Sequence, residues 1–490
     1  MYKIDFNHPS SIYFVGIGGI SMSGLAEILA DAGFRVSGSD RVKSALTENL
    51  TQKGITVFYG QRAENITEDI DCVVFTSAVH EDNPEYIATV EKNIPYLSRA
   101  QLLGQLMKNY KTPIAISGTH GKTTTTSMVS EILLKADTDP TLSIGGILKT
   151  IGGNIRVGKT DLFVTEACEY TNSFLSFSPK IGIILNIEED HLDFFKDLAD
   201  IRHSFHEFAK LLPEDGCLII NGDIPNYDEI TDGLSCRVVT YSSSHSNSGS
   251  DSSTGSNSYS CNSGADACDI QTANGTMTDY YISDLRFDEM GHSHFTLHDV
   301  NGTTCEFELQ VPGEHNVSNA MAAIALADLL DIDRHITAQA LLGFNGTDRR
   351  FEYKGTIGGV TIVDDYAHHP TEITATLTAA RNYPHKTLWC VFQPHTFTRT
   401  KAFMADFAKA LSLADKVVLA DIYAARETDR LGISSETLQK EIEALGHECF
   451  YFPTFDEIEN FLLENCINGD LLITMGAGDV LKIGENLLGI

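Results

Sequence analysis

The sequence predicts an α/β protein of three domains: a Rossmann-like N-terminal domain, a central P-loop ATPase-type parallel sheet, and a C-terminal Rossmann-like domain. Three observations predict it. Short apolar runs, each ending in a polar or charged residue, recur in three successive cycles along the chain. Amphipathic stretches alternate with the runs, which is the pattern of a parallel sheet with helical crossovers. Two runs feed directly into glycine-rich turns, at 16–19 and 118–121, and ligands of parallel sheets sit beyond the carboxyl ends of the strands.

In the first cycle, residues 12–15 form a strand, 16–19 a turn, and an amphipathic helix continues to about Ala32. Residues 34–40 make a second strand ending at Asp40, and 72–76 a third. The second cycle starts at Pro113, passes through the turn at 118–121 and adds strands at 162–166 and 181–186. The third begins near Gly355, with strands at 360–364, 387–392, 416–420 and 471–474. The expected domains are 1–108, 109–343 and 344–490. Residues 242–264, almost entirely Ser, Asn, Gly and Asp, read as a flexible surface insertion.

A length of 490 residues allows several cores, and 42% hydrophobic with 21% charged residues suits a soluble globular enzyme. Lys and Arg number 35 against 67 Asp and Glu, a net charge of −32. That balance argues against nucleic acid and against anionic membrane surfaces, both of which require clustered basic residues. No apolar run reaches the ~18 residues of a membrane span. The N-terminal residues lack a basic stretch followed by an apolar one. The ten cysteines contain no Cys-x-x-Cys pair and read as reduced thiols. The expected location is the cytoplasm.

Gly118-Thr119-His120-Gly121-Lys122-Thr123-Thr124 follows the apolar residues 114–116. Backbone N–H groups of such a turn cradle phosphates, Lys122 reaches the β/γ oxygens, and Thr123 holds Mg²⁺. A nucleoside triphosphate is therefore the expected ligand. The ordinary loop has Gly five positions before Gly121; here that residue is Ile116, so the loop is a shortened variant. Glu166 leaves an apolar strand beside this loop, placed either to bind Mg²⁺ or to be an exposed turn acid. His191 alone reads as a surface histidine; together with Thr123 and Glu166 it becomes a second metal ligand.

The turn carrying Gly18, Gly19, Ile20 and Ser21 opens a helix and suits a diphosphate. Asp40 stands 22 residues after Gly18, where a ribose-binding acid would belong, but Ser21 replaces the third glycine of the dinucleotide fingerprint. An oxidoreductase reading rests only on these residues and leaves the phosphate loop unexplained. Asn316 and Asn319 share a helix face, suited either to capping or to reading a base or ribose. Arg349 and Arg350 lie at the expected hinge, from which an arginine reaches a nucleotide phosphate on domain closure. The runs 364–370 and 392–399 concentrate titratable groups after strands: Arg399 suits a substrate carboxylate, and His368 or His395 its orientation.

Taken as an ordered set, the runs 16–26, 118–126, 186–193, 315–320, 364–373 and 392–395 resemble those of the Mur ligases over essentially the whole chain apart from 242–264. The resemblance implies that ATP phosphorylates the lactyl carboxylate of UDP-N-acetylmuramate. The amine of L-alanine then attacks the acyl phosphate, the first step of peptidoglycan stem-peptide assembly. The alternative within the family is a recycling ligase that adds a tripeptide to the same nucleotide.

By the same resemblance, Lys122, Glu166, His191, Asn316, Asn319, Arg350 and Asp365 are catalytic, with Mg²⁺ on Thr123, Glu166 and His191. ATP contacts come from Gly118, Thr119, His120, Gly121, Lys122, Thr123, Thr124, Asn316, Asn319, Arg350 and Asp365. The turn of Gly18, Gly19, Ile20 and Ser21, with Asp40, Ser77 and His80, holds the UDP diphosphate. Tyr366, His368, His395 and Arg399 form the alanine side. The implied state is a monomer or weak homodimer. Two departures stand out. Cys168-Glu169-Tyr170 replaces the Asp-Glu-Ser of many relatives, and Thr396 replaces an Arg, which shifts weight to Arg399.

Overall fold

A computed structural model describes residues 2–76, 79–243, 262–263, 278–425 and 427–490. Three sheets follow one another along the chain. The first is wholly parallel, in the spatial order Thr56–Tyr59, Arg35–Asp40, Ser11–Val15, Cys72–Phe75 and Tyr96–Ser98. Its central strand Ser11–Val15 is buried at every position, as expected where a parallel strand is covered on both faces.

The second sheet has eleven strands. Its parallel core runs Arg237–Ser242, Cys217–Asn221, Ile181–Ile184, Thr112–Ser117, Leu162–Ala167 and Thr141–Leu148. Gly153–Arg156 pairs antiparallel at one edge. At the other, Tyr280–Phe287, Ser293–Asp299 and Thr303–Leu309 form a meander. The meander lay outside the sequence reading because its strands are half-covered: in Ser293–Asp299 buried and partly exposed residues alternate, and no continuous apolar run results. Of the Ser-rich segment 242–264, Ser242 closes a strand and Asn262–Ser263 pairs with Thr303–Thr304. Apart from Ser243, the remainder lies outside the described residues.

The third sheet runs Glu352–Ile357, Val360–Asp365, Leu471–Met475, Leu388–Phe392, Lys416–Leu419 and Glu448–Tyr451, antiparallel only at its first pair. Register places the loops. Ser117 is level with Ala167 on one side and Ile184 on the other. Asp365 and Phe392 are both level with Met475.

The first two sheets share one apolar core, in which Ile12, Leu25 and Leu103 are continuous with Phe163, Phe174 and Phe205. The third sheet has clusters of its own on each face. No described helix is long and apolar enough to cross a membrane.

Gly104, in the helix Arg99–Met107, lies directly against the carbonyl of Ser176, leaving no room for a Cβ. Gly104→Ala must push the helix off the central domain. A loss of about 1–3 kcal/mol is expected from overpacking, read as a lower urea midpoint with an unchanged slope.

Candidate active site

The phosphate loop follows from the level strand ends. Thr112–Ser117 runs into Gly118, and the helix Lys122–Lys135 starts from Gly121, whose φ of 81° is left-handed. Asn319 Oδ1 fills the space that a Cβ on Gly121 would need. Asn186, just past the neighbouring strand Ile181–Ile184, clamps the loop. Its Oδ1 accepts from the His120 N–H at 2.7 Å, its Nδ2 donates to the His120 carbonyl at 3.1 Å, and its own carbonyl accepts from Thr119 N–H at 3.1 Å.

Lys122 Nζ lies 2.9 Å from Glu169 Oε2 and donates to the carbonyls of Gly118 and Thr119. Burial alone would push its pKa down, but Glu169 outweighs burial and holds the ammonium above its usual range. Thr123 Oγ1 donates to Glu166 Oε2 at 3.2 Å, and Gly145 N–H to Glu166 Oε1 at 2.6 Å. Burial raises the Glu166 carboxyl more than these donors and Lys122 lower it. His191 Nε2 is 3.8 Å from Glu169 Oε1, and burial keeps the ring below its usual pKa, hence neutral. Among the described residues Glu169 Oε1 is buried without a hydrogen-bond partner. A hydroxyl, an under-compensated carboxylate and a neutral imidazole beside another unsatisfied carboxylate oxygen make a donor set that fits a hard divalent cation. Among the described residues no hydrogen bond or ion pair joins Glu166 to His191; His191 meets Glu169, which in turn pairs with Lys122.

A cavity of about 250 Å³ opens beside the loop, lined by Gly121, His315, Asn316, Asn319, Arg350 and Asp365 among others. Asn316 and Asn319 are buried on one face of the helix Glu314–Leu329. Asn319 Nδ2 donates to Asn316 Oδ1 at 3.2 Å, and Asn316 Nδ2 to the Pro312 carbonyl at 2.7 Å. Asp365 accepts from Phe351 N–H at 2.8 Å and Ala367 N–H at 2.7 Å; burial pushes it up to about 6. The two arginines divide their duties. Arg349 is bound to Asp364 at 3.1 Å and to the Gly476 carbonyl at 2.7 Å, whereas Arg350 faces the cavity. Arg349 and Phe351 are left-handed at φ 62° and 47°, so the chain turns sharply on both sides of Arg350.

On the far side, Arg399 donates to Asp190 Oδ1 through Nη2 at 2.8 Å and Nε at 3.2 Å. Although burial acts to raise it, this contact holds Asp190 well below the usual carboxylate range. Arg399 Nη1 lies 3.4 Å from His395 Nδ1, and the His395 ring stacks on Tyr423. Arg399, His395, His191, Asp190, Phe403 and Glu427 line a cavity of about 90 Å³. Of the two histidines, His395 faces this cavity. His368 instead sits 3.3 Å from Glu372, beneath Tyr366. Thr396 takes the N-cap of the helix Phe397–Ala402, with its Oγ1 accepting from Arg399 N–H at 3.4 Å.

In the N-terminal domain, the amides of Gly16 and Ile17 donate to the Ser39 carbonyl at 2.8 and 2.9 Å, and Gly18 N–H donates to Asp40 Oδ2 at 2.8 Å. Asp40 thus braces the turn with one oxygen. Gly19 is the N-cap of Ile20–Asp31, Ile20 is exposed, and Ser21 Oγ accepts from Arg99 at 3.1 Å. His80 is exposed beyond the strand Cys72–Phe75. Ser77 lies outside the described residues.

Sequence profiles match three domains in order: the Mur ligase family catalytic domain over 11–111, its middle domain over 116–327, and its glutamate ligase domain over 349–478. The chain is 56% identical over 489 residues to a UDP-N-acetylmuramate–L-alanine ligase of Lachnospira eligens, with 100% of both chains covered. It is 55% identical over 488 residues to one of Agathobacter rectalis, again with 100% coverage of each. The chain belongs to the Mur ligase family. Its fold is similar to the crystal structure of the UDP-N-acetylmuramate–alanine ligase from Thermotoga maritima, with TM-score 0.77, 27% identity and 98% of each chain covered.

Several residues that build the site of this Mur ligase were given no role in the sequence reading: Asn186, Glu188, Asp190 and Glu372. All lie inside or next to motif runs, which was the available signal. Glu188 accepts from Thr371 Oγ1 at 2.6 Å, and His369 Nε2 donates to the Glu189 carbonyl at 3.0 Å, so residues 188–190 grip the C-terminal domain.

His120, Glu188 and His369 bring metal-capable atoms within 4.8 Å of one another. Both His369 nitrogens are engaged, however, since Nδ1 accepts from Thr371 N–H. The cluster is an ion-pair network: His120 Nδ1 is 3.2 Å from Glu372, and Nε2 is 3.5 Å from Glu188, too long for a good hydrogen bond.

Burial would lower the His120 pKa, but these two carboxylates outweigh it and raise the ring to about 9. The folded state therefore binds this proton more tightly than the unfolded chain. The resulting stability is fully present below about pH 6.5 and is lost as pH rises through about 9. Urea unfolding of the wild type should lose on the order of 3 kcal/mol more than H120Q across that window. Parallel pH profiles would contradict the ion-pair assignment.

Proposed function

We propose that this Mur ligase joins L-alanine to the lactyl carboxylate of UDP-N-acetylmuramate at the expense of ATP. The reading is carried by its agreement, over full length, with relatives bearing the name UDP-N-acetylmuramate–L-alanine ligase. The geometry supplies parts for each step. ATP enters the cavity beside the phosphate loop, with its base among Asn316, Asn319 and His315 and its phosphates on Gly118, Thr119, His120, Gly121, Thr123 and Thr124. Lys122 leaves the loop carbonyls to meet the β/γ oxygens. Arg350 approaches from the C-terminal domain beside Asp365.

Mg²⁺ would be held by Thr123, Glu166 and His191, where it offsets the repulsion between the γ-phosphate and the attacking carboxylate. Phosphoryl transfer gives an acyl phosphate. The alanine amine adds to its carbonyl, and the tetrahedral intermediate collapses to the amide with loss of phosphate. The amino acid enters the cavity of Arg399 and His395, whose small volume suits a compact acceptor; Tyr366 and His368 back it. The diphosphate of the UDP moiety rests on Gly18, Gly19, Ile20 and Ser21, with Asp40 and His80 beside it. We assign 1–108 to the UDP-substrate domain, 109–343 to the ATP domain and 344–490 to the amino-acid domain, in a cytoplasmic monomer or weak homodimer.

The deciding experiment is phosphate release from ATP with Mg²⁺ and UDP-N-acetylmuramate, comparing L-alanine, glycine, D-glutamate and the recycled tripeptide. Release should depend on L-alanine, and Lys122→Ala should lower it by on the order of 10²–10³-fold. Preference for the tripeptide would make the chain a recycling ligase instead.

A further inference from the structure

Glu372 is the third residue of the helix Pro370–Arg381, and its side chain is only 13% exposed. Its two oxygens face opposite ways. Oε1 lies 3.2 Å from Nδ1 of His120, on the phosphate loop of the central domain, and 3.9 Å from Nη1 of Arg350. Oε2 accepts the His368 backbone N–H at 3.1 Å and lies 3.3 Å from the His368 ring. One buried carboxylate thus meets a cation of the nucleotide loop, the arginine that enters the nucleotide cavity, and a histidine of the acceptor side. The surrounding donors keep it ionised, well below the usual carboxylate range, against the effect of burial. Only a group that accepts on both oxygens satisfies all of these neighbours; a glutamine would turn an N–H toward one set of donors.

We propose that Glu372 is a positioning residue that fixes the phosphate loop, Arg350 and His368 in one register, so that the ATP and amino-acid sites form together. It borders the larger cavity but not the smaller one, and its hydrogen-bonding and ionic contacts go to His120, Arg350 and His368, through which it acts. The catalytic consequence rests on the ligase reading above; the mechanical coupling does not.

Two measurements on the full chain test it. In hydrogen exchange, E372Q should speed exchange in two segments far apart in sequence, 118–124 and 366–369, with the N-terminal sheet unchanged. H120Q, which breaks the same contact from the other side, should disturb the same two segments. In steady-state kinetics, E372Q should lower kcat by about 10²-fold, the cost of a misplaced reacting group, while raising KM for both ATP and L-alanine. E372D should recover part of the loss. The E372Q/H120Q double variant should be little worse than either single one, as for residues acting as a unit.

Faster exchange confined to the helix Pro370–Arg381, or penalties that multiply in the double variant, would overturn the proposal. A wild-type protein inactive with L-alanine would remove the ligase reading, while the exchange pattern would still decide the coupling.

Discussion

The site depends on one constraint of register: Ser117, Ala167 and Ile184 end level on three adjacent parallel strands. Because parallel strands point the same way, everything that follows them emerges on one side. The phosphate loop, Glu166 with Glu169, and Asn186 through His191 are therefore neighbours, although about 75 residues of chain separate the first from the last. Slipping any one strand by a residue would turn its side chains to the other face and scatter the group. The apolar interior shared by the first two sheets holds that register, and the turn at 16–19 is anchored in the same core through Ile17.

Charge is the second organising principle. Each cation at the centre already has an acid: Lys122 has Glu169, Arg399 has Asp190, and His120 has Glu372 and Glu188. Taking single charges out of water is costly, and pairing makes their burial tolerable. It also means that anionic substrates exchange partners with acids that are already present. Arg399 illustrates this: two of its nitrogens serve Asp190, and only Nη1 remains on the side of His395.

Much of this was legible in the chain itself. Strands buried on both faces are continuous apolar runs, so those at 12–15, 162–166 and 471–474 could be read directly, and Lys122, Thr123 and Glu166 stood out because each follows such a run. The meander of Tyr280–Leu309 was missed because its strands are covered on one side only. Glu372 and Asp190 lie inside motif runs, but their roles were hidden for another reason. Each meets a partner more than two hundred residues away, His120 for Glu372 and Arg399 for Asp190, and no local pattern encodes such a contact. Asp40, which stands where a ribose-binding acid would belong, instead spends Oδ2 on the amide of Gly18.

The backbone on either side of Arg350 has a mechanical consequence. Two side-chain-bearing residues held left-handed, Arg349 and Phe351, store of the order of 1 kcal/mol or more each. The joint between the central and C-terminal domains is thus a tight turn rather than a slack tether. Its own contacts pin it at both ends, Arg349 on Asp364 and the Gly476 carbonyl and Phe351 N–H on Asp365. Residues 188–190 brace the same domain through Thr371, His369 and Arg399, so Arg350 is presented to the cavity from a backbone that leaves it little freedom to wander.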